Sequence, residues 1–298
     1  MQKSGFVSII GRPNVGKSTL LNQILGAKIA ITSYKPQTTR TQIQGVYTEP
    51  RGQIVFIDTP GIHKAVNQLD RYMMEAARRS MGDVDMVLFL AEPGAPREQD
   101  RDILAKLQGQ KAKVILVLNK MDKVAKTELL TAMAAFKDAG TFEHIIPVSA
   151  RTGENVPELL EVLFGELPEG PAFFPEDMLT DQPERQLMAE FIREKALLEL
   201  EQEIPHGIAV VIDSWEERSD RGITDINATI ICEKESHKPI IIGKGGQTLK
   251  AIGSKARREM EEFLGTRVNL KLWVKVKERW RDSEMMIRNF GFDKRNLM

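Results

Sequence analysis

A single cysteine, no apolar run long enough to cross a bilayer, few aromatic residues and no excess of either charge are what this 298-residue sequence lacks. One cysteine, Cys232, excludes an internal disulfide. With only the lone His237 near it, Cys232 also forms no Cys/His metal cluster, and it reads as a buried strand residue. The longest apolar stretches, Met86 to Ala91 and Val114 to Leu118, fall far short of the roughly 20 residues of a spanning helix and read as buried strands. No basic start followed by an apolar stretch and a small-residue cleavage site is present, so the chain is expected to act in the cytoplasm. Charged residues at 28% beside hydrophobic ones at 42% disfavour disorder, and the length suits two domains, each with its own core. The net charge of zero hides an asymmetry. From Ser236 onward 15 Lys and Arg face 7 Asp and Glu, a basic end suited to nucleic acid or, alternatively, to peripheral contact with the inner membrane surface.

Hydrophobic patterning divides the chain. Strands are expected at Phe6 to Ile10, Gln42 to Thr48, Gln53 to Ile57, Met86 to Leu90, Val114 to Leu118 and Ile145 to Val148. Amphipathic stretches such as Lys17 to Leu25, Glu98 to Leu107 and Thr127 to Lys137 lie between them, so the fold class is α/β with a mostly parallel sheet. The short Glu49-Pro50-Arg51-Gly52 turn suits an antiparallel hairpin. Periodicity fails where Pro168, Pro171, Pro175 and Pro183 interrupt the chain, giving expected bounds of 1–167, a linker 168–183, and an α+β domain 184–298.

Gly11 to Ser18, GRPNVGKS, sits between a strand and a helix and has the phosphate-loop form GxxxxGKS. Its glycines let successive amides turn toward phosphate oxygens, and the helix that follows adds its positive end. Gly11, Asn14, Val15, Gly16, Lys17, Ser18 and Thr19 are the candidate phosphate-binding residues, with Lys17 reaching the β- and γ-phosphates and Ser18 a ligand of Mg2+. Asn119 to Asp122, NKMD, follows an apolar strand at the carboxyl edge of the sheet, where open α/β folds bind ligands. There the Asp122 carboxylate can accept from guanine N1 and the 2-amino group, donors that adenine does not offer. Asn119 would support the base edge, the Lys120 stem would cover its face, and Ser149-Ala150 would present an amide to guanine O6. In Asp58 to Gly61, DTPG, Asp58 would hold Mg2+ through water and the Gly61 amide would meet the γ-phosphate. Of the threonines in Gln37-Thr38-Thr39-Arg40, Thr39 is the candidate to complete the metal shell. The pattern fits GTP and GDP, and a small-molecule kinase or ATPase conflicts with NKMD.

Five elements in this order, GRPNVGKST, QTTR, DTPGIH, NKMD and SAR, resemble GTPases of the translation-factor-related class and together look like the bacterial Era family. The resemblance implies slow hydrolysis of GTP with Mg2+, catalysed around Asn14, Lys17, Thr39, Asp58 and Gly61. Ile62 stands where Ras-type enzymes have a water-orienting glutamine, so something else positions the nucleophile or a partner assists. As in similar GTPases, Asn14 either helps bind K+ across the phosphates or only braces the loop. His63 is either a base or an exposed loop residue without catalytic duty.

Ile240 to Gly246 leads into a helix with Leu249, Ile252, Ala256, Met260 and Phe263 on one face, and strands lie on either side. The order of helix, two strands, helix, GxxG loop, helix and strand resembles a type II KH domain, the module joined to the GTPase in the Era family. In such domains the GxxG backbone and its lysine clamp about four nucleotides. Gly243, Lys244, Gly245, Gly246 and Lys250 are thereby the candidate RNA contacts, with Arg257 and Arg258 adding attraction. The resemblance further implies binding to the 3′ end of 16S rRNA, a role in 30S subunit assembly, and action as a monomer. Trp273 is expected to cover a helix or to stack on a base, and Glu278 to Phe292 to dock on the KH domain or touch a membrane surface.

Overall fold

The computed structural model describes residues 2–35, 37–62, 65–80, 82, 84–218 and 222–292. A first six-stranded sheet has the order β2-β3-β1-β4-β5-β6, built from β1 (Lys3–Gly11), β2 (Ile43–Glu49), β3 (Gly52–Asp58), β4 (Met86–Ala91), β5 (Lys113–Asn119) and β6 (His144–Val148). Only β2 runs antiparallel, paired with β3 from Glu49↔Gly52 to Ile43↔Asp58, which is the hairpin that the Pro50-Arg51 turn calls for. β3, β4, β5 and the central β1 are buried on both faces, as parallel strands between helices must be. Against one face pack α1 (Lys17–Leu25) and α5 (Val156–Glu166), around Leu20, Leu21, Leu159 and Leu163. α3 (Glu98–Leu107) and α4 (Lys126–Ala139) cover the other, around Ile103, Phe89 and Phe136. The helix α2 (Gln68–Arg79) begins at a capping box in which the Asn67 side chain accepts from the Asp70 amide and the Asp70 carboxylate accepts from the Asn67 amide. Its apolar positions Leu69, Tyr72, Met73 and Ala76 join a cluster with residues of the carboxy-terminal half.

A second, three-stranded sheet holds β7 (Ala209–Arg218), β8 (Ile223–Cys232) and β9 (Arg267–Val276), with β8 antiparallel to β7 and parallel to β9. Three helices, α6 (Glu184–Glu199), α7 (His237–Ile242) and α8 (Gln247–Leu264), pack on one of its faces around Phe191, Ile226, Ile252, Ala256 and Met260. Leu249 and Phe263 lean on the same core, so the face read from the sequence is the one that packs. Cys232 is fully buried at the end of β8.

Residues 168–183 have no helix but are not a free tether. The fully buried Gln53 side chain accepts from the Phe173 and Phe174 amides at 2.8 and 2.9 Å and donates to the Phe174 carbonyl at 2.9 Å. Ser4 N–H donates to Pro168 O, and Val46 N–H to Leu179 O. The segment is a strap laid along the first sheet, and proline content alone does not reveal this, because the polar groups that fasten it belong to residues over a hundred positions away.

The end of the chain departs from expectation in its partner. A short 3-10 turn (Trp280–Asp282) and α9 (Glu284–Asn289) bring Trp280, Ile287 and Phe292 into a cluster with Ala209 and Ile231 of the second sheet and with Leu69, Tyr72, Met73 and Ala76 of α2. This segment docks on the second sheet and on α2 at once, because its aromatic rings meet both apolar surfaces: Trp280 stacks on Phe292, and Phe292 meets Tyr72 edge-on. Trp273 covers no helix. It stands 59% exposed on the outer face of β9.

Gly52 sets the hairpin against β1. Its φ is +153°, and a Cβ there would lie 1.8 Å from the Lys3 carbonyl oxygen, whereas a Cβ on Gly26, at φ +63°, meets nothing within 4 Å. Gly26→Ala should therefore cost only the left-handed strain of roughly 1 to 2 kcal/mol, and Gly52→Ala should exceed it by at least about 2 kcal/mol through the added clash. Urea denaturation of the two variants checks the difference.

Candidate functional site

The loop after β1 curls because Gly11, Asn14 and Gly16 take φ of +157°, +64° and +101°. Gly16 is required by its neighbour, since a Cβ would sit 2.2 Å from Asn119 Nδ2. That amide donates to Val15 O at 2.7 Å, while Asn119 Oδ1 accepts from Ala150 N–H at 2.9 Å. Asn119 is thus the tie between the phosphate loop, the NKMD turn and the Ser149-Ala150 turn. The Ala150 amide, expected to stand open toward a base, is engaged here by Asn119.

Lys17 opens α1 and reaches back over the loop, its Nζ 3.3 and 3.2 Å from the Gly11 and Arg12 carbonyls. Thr19 follows one residue on from Ser18 in the same first turn and lines the same cavity of about 280 Å³ with Pro13, Lys17 and Gly61. Ser18 Oγ donates to Asp58 Oδ2 at 2.6 Å and lies 2.8 Å from Thr39 Oγ1, so Thr39 is the donor to Ser18. Asp58 Oδ1 is buried with no hydrogen-bond partner among the described residues. An oxygen-only cluster of two hydroxyls and a carboxylate, with one buried carboxylate oxygen still to be satisfied, fits Mg2+, which prefers hard oxygen ligands and keeps several waters. Burial pushes Asp58 up to about 6 in spite of the Lys17 charge and the Ser18 hydrogen bond. Burial likewise pulls Lys17 down to about 8 against the attraction of Asp58. Each offsets part of the other's burial, and the pair suits a ligand that brings phosphate to Lys17 and a cation to Asp58.

Gly61 lies against the phosphate loop so closely that a Cβ would be 2.9 Å from Pro13. Ile62 turns into the apolar cluster under α3 and α4, which leaves it no part in the polar site. His63 lies outside the described residues. Gln37 Nε2 is held by Asp70 Oδ1 at 2.8 Å, tying its loop to α2. Asn14 Nδ2 donates to Tyr34 O at 2.8 Å, an observed brace between the phosphate loop and residues 31–40.

At the base end Asp122 accepts from Ser149 Oγ and Arg151 Nη2, both at 2.8 Å. The Ser149 hydrogen bond, followed by the Arg151 charge, holds its carboxyl below the usual range, so it remains an acceptor. A carboxylate has about four lone-pair sites, so capacity remains for a base edge. Lys120, at φ +71°, donates to Asn14 O at 2.8 Å and pairs with Glu92, which lays its stem beside the loop.

Sequence reasoning missed how residues 28–40 are held from the second sheet's side. Glu194 of α6 accepts from Lys28 Nζ at 2.6 Å and from Thr32 N–H at 2.7 Å. Arg193, oriented by a two-point pair with Glu190, donates to Thr38 O. Arg40, 1% exposed, donates to Ile208 O and His206 O at 2.5 and 2.9 Å. No local signal marks these contacts, because the partners are more than 150 positions apart.

On the second sheet's helical face, Gly243, Gly245 and Gly246 take φ of +76°, +60° and +79° between α7 and α8. Gly243 has no room for a Cβ, which would lie 2.2 Å from Thr248 Oγ1, whereas Gly245 faces open space. Lys244, Gly245 and Lys250 are exposed, with the half-exposed Ile240 beside them. The loop thus offers bare backbone, two cations and an apolar flank at the start of a long helix.

Comparison with known proteins agrees with this geometry. Residues 6–120 match the family model described as 50S ribosome-binding GTPase, and residues 203–281 match that described as KH domain. GTPase Era of Alkaliphilus metalliredigens is 52% identical over 98% of this chain and 99% of its own length, and GTPase Era of Clostridioides difficile is 51% identical over the same shares. Among solved structures, an Aquifex aeolicus Era variant bound to GDP and AlF4− superposes with a TM-score of 0.94 at 41% identity, covering 98% of this chain and 99% of that one. An Era in complex with MgGDPNP and nucleotides 1506–1542 of 16S ribosomal RNA superposes at 0.95, with the same identity and coverage. A phosphate-loop GTPase domain joined to a KH domain, matched along nearly the whole length, places the chain in the Era family of GTPases.

Proposed function

We propose that this GTPase is a nucleotide-driven switch that grips single-stranded RNA at the 3′ end of 16S rRNA and assists its processing and 30S assembly in the cytoplasm. The support is an Era of solved structure that holds MgGDPNP together with that stretch of RNA. Residues 1–167 would be the GTP-binding unit, 168–183 the strap and 184–298 the RNA-binding unit. Gly11, Asn14, Val15, Gly16, Lys17 and Thr19 would cradle the phosphates, Asn119, Lys120, Asp122, Ser149 and Ala150 the guanine, and Gly61 the γ-phosphate. Ser18, Thr39 and Asp58 would hold Mg2+, which when bound neutralises charge on the phosphate oxygens. With Ile62 packed against the apolar cluster it supplies no water-orienting group, and hydrolysis would stay slow until a partner acts. K+ beside Asn14 would supply part of the missing charge, and faster turnover in KCl than in NaCl is the sign of it. Gly243, Lys244, Gly245, Gly246 and Lys250 would clamp the RNA backbone.

One arrangement carries the switch reading. Thr39 reaches into the Ser18 and Asp58 cluster, while the residues on either side of it, Thr38 and Arg40, are gripped from the KH side by Arg193 and by the Ile208 and His206 carbonyls. Loss of the metal and γ-phosphate that would hold Thr39 there would be felt at those grips, and two sites joined through one segment are coupled reciprocally.

Gly245→Asp is the direct test of the RNA site. Asp tolerates a positive φ and meets no neighbour there, so melting should shift by no more than a few degrees. Crosslinking and affinity for 16S 3′-end RNA should fall at least about tenfold, by like-charge repulsion of phosphate. Unchanged crosslinks would remove the KH reading. Arg193→Ala should leave GTP binding intact yet shrink the ratio of RNA affinities measured with GDPNP and with GDP, which wild-type coupling is expected to set at roughly 5- to 150-fold. Proton linkage tests the phosphate site. At about pH 5.5, below the Asp58 value of about 6, Mg2+ must displace a proton to use the carboxylate; at about pH 8.5, above the Lys17 value of about 8, a triphosphate must draw one in. Calorimetry of MgGTP binding in buffers of different ionisation enthalpy should show uptake at the higher pH. At the lower pH, Asp58→Asn should release fewer protons than wild type.

A further inference from the structure

We propose that the outer face of the KH sheet, centred on Trp273, is a second RNA contact that stacks an unpaired base of the strand leaving the GxxG groove. This rests on the RNA-binding reading above. β9 is one of the sheet's two edge strands, and its residues alternate strictly. Val268, Leu270, Leu272, Val274 and Val276 turn into the core beneath the helices, while Arg267, Asn269, Lys271, Trp273 and Lys275 stand exposed on the opposite face. The chain buries Trp280 completely, yet leaves Trp273 59% exposed. The C-terminal segment covers the Ala209 and Ile231 end of this same face without closing over Trp273.

The surroundings favour a polyanion with flat rings over an apolar partner. Lys271 and Lys275, two positions to either side of the indole, make no ion pair among the described residues, and Arg267 lies farther along the same face. Of the nearby carboxylates, Asp225 has a cationic partner and Asp213 a hydroxyl donor. Asp225 accepts from Asn269 Nδ2 at 2.6 Å and pairs with Arg218, and Asp213 accepts from Thr229 Oγ1 at 2.6 Å, directly beside Trp273 in the strand register. The exposed Glu216 lies on β7, the far strand of the sheet. Exposed aromatic rings set among lysines are how proteins hold single strands without reading a fixed sequence. The inner side chains of β9 touch the GxxG helix, with Leu272 Cδ1 3.3 Å from the Cβ position of Gly253 on α8. A strand crossing the edge of β9 from the groove would therefore meet Trp273 next.

Fluorescence anisotropy of the full-length protein distinguishes the cases, with two labelled RNAs: a fragment matching nucleotides 1506–1542 of 16S rRNA and a four-nucleotide RNA from within it that fills only the groove. Trp273→Ala should weaken the long fragment roughly fivefold to a hundredfold, Trp273→Phe should restore most of that loss, and the short RNA should bind all Trp273 variants alike. Equal affinity of wild type and Trp273→Ala for the long fragment overturns the proposal, as does an equal loss for both RNAs or a failure of Phe to rescue. If phosphatidylserine vesicles bind wild type but not Trp273→Ala while RNA affinity is unchanged, the face belongs to a membrane surface and the proposal also falls. Failure of wild type to bind either RNA overturns the RNA-binding reading itself.

Discussion

A buried guanidinium sets the terms on which the two halves meet. Arg40 is almost fully enclosed, with two donors on the His206 and Ile208 carbonyls, its Cζ 5.8 Å from the centre of the Trp280 ring, and its Nε without a partner among the described residues. Burial and then the neighbouring Arg193 charge push it well below its ordinary value, which measures how unfavourable the charge is in this enclosure. Backbone carbonyls and an aromatic face offset part of the lost hydration, and they do so only in one geometry. A charge held this way does not slide by degrees. Release of Arg40 would have to give up both carbonyls and the aromatic face together.

Trp280 extends the same logic to α2. Its Nε1 donates to Gly207 O at 2.8 Å, its ring faces Arg40, and its stacking partner Phe292 leans on Tyr72 of α2. Gln37 joins the two regions again through Asp70. The loop carrying Thr39 and the helix following DTPG therefore converge on one aromatic cluster belonging to the carboxy-terminal half. Rearrangement of either would disturb the packing of the other, with no need for a long chain of intermediates.

What could be read from the sequence follows from where the chemistry fixes residue types. The phosphate loop, DTPG and NKMD were legible because phosphate, metal and base each demand particular groups at particular spacings, and the structure brings Lys17, Ser18, Thr39 and Asp58 together as that demand requires. The KH helix was legible through one apolar face. α2 is harder to read, although Leu69, Tyr72, Met73 and Ala76 recur at helical spacing behind an Asn67 and Asp70 capping box, because its polar flanks obscure the signal. The strap, the Arg193 grip and the second partner of the C-terminal segment had no local signature. Each is a polar or aromatic contact whose two halves are separated by more than a hundred positions, and nothing in either half alone distinguishes it from a solvated surface.

The two tryptophans of the second sheet sharpen this point, for Trp215 packs partly against the core while Trp273 stands exposed. Trp273 breaks the apolar and basic alternation of β9 as read from sequence, and a helix-covering role was the natural expectation. In the structure the alternation holds for orientation and fails only for chemistry: Trp273 occupies an outward position, between Lys271 and Lys275, where a lysine or threonine would serve a merely solvated strand. A large ring kept in water forfeits the burial energy that aromatics otherwise contribute to a core. Folding alone gains nothing from it there, so the residue is better explained by what the face meets than by what it covers.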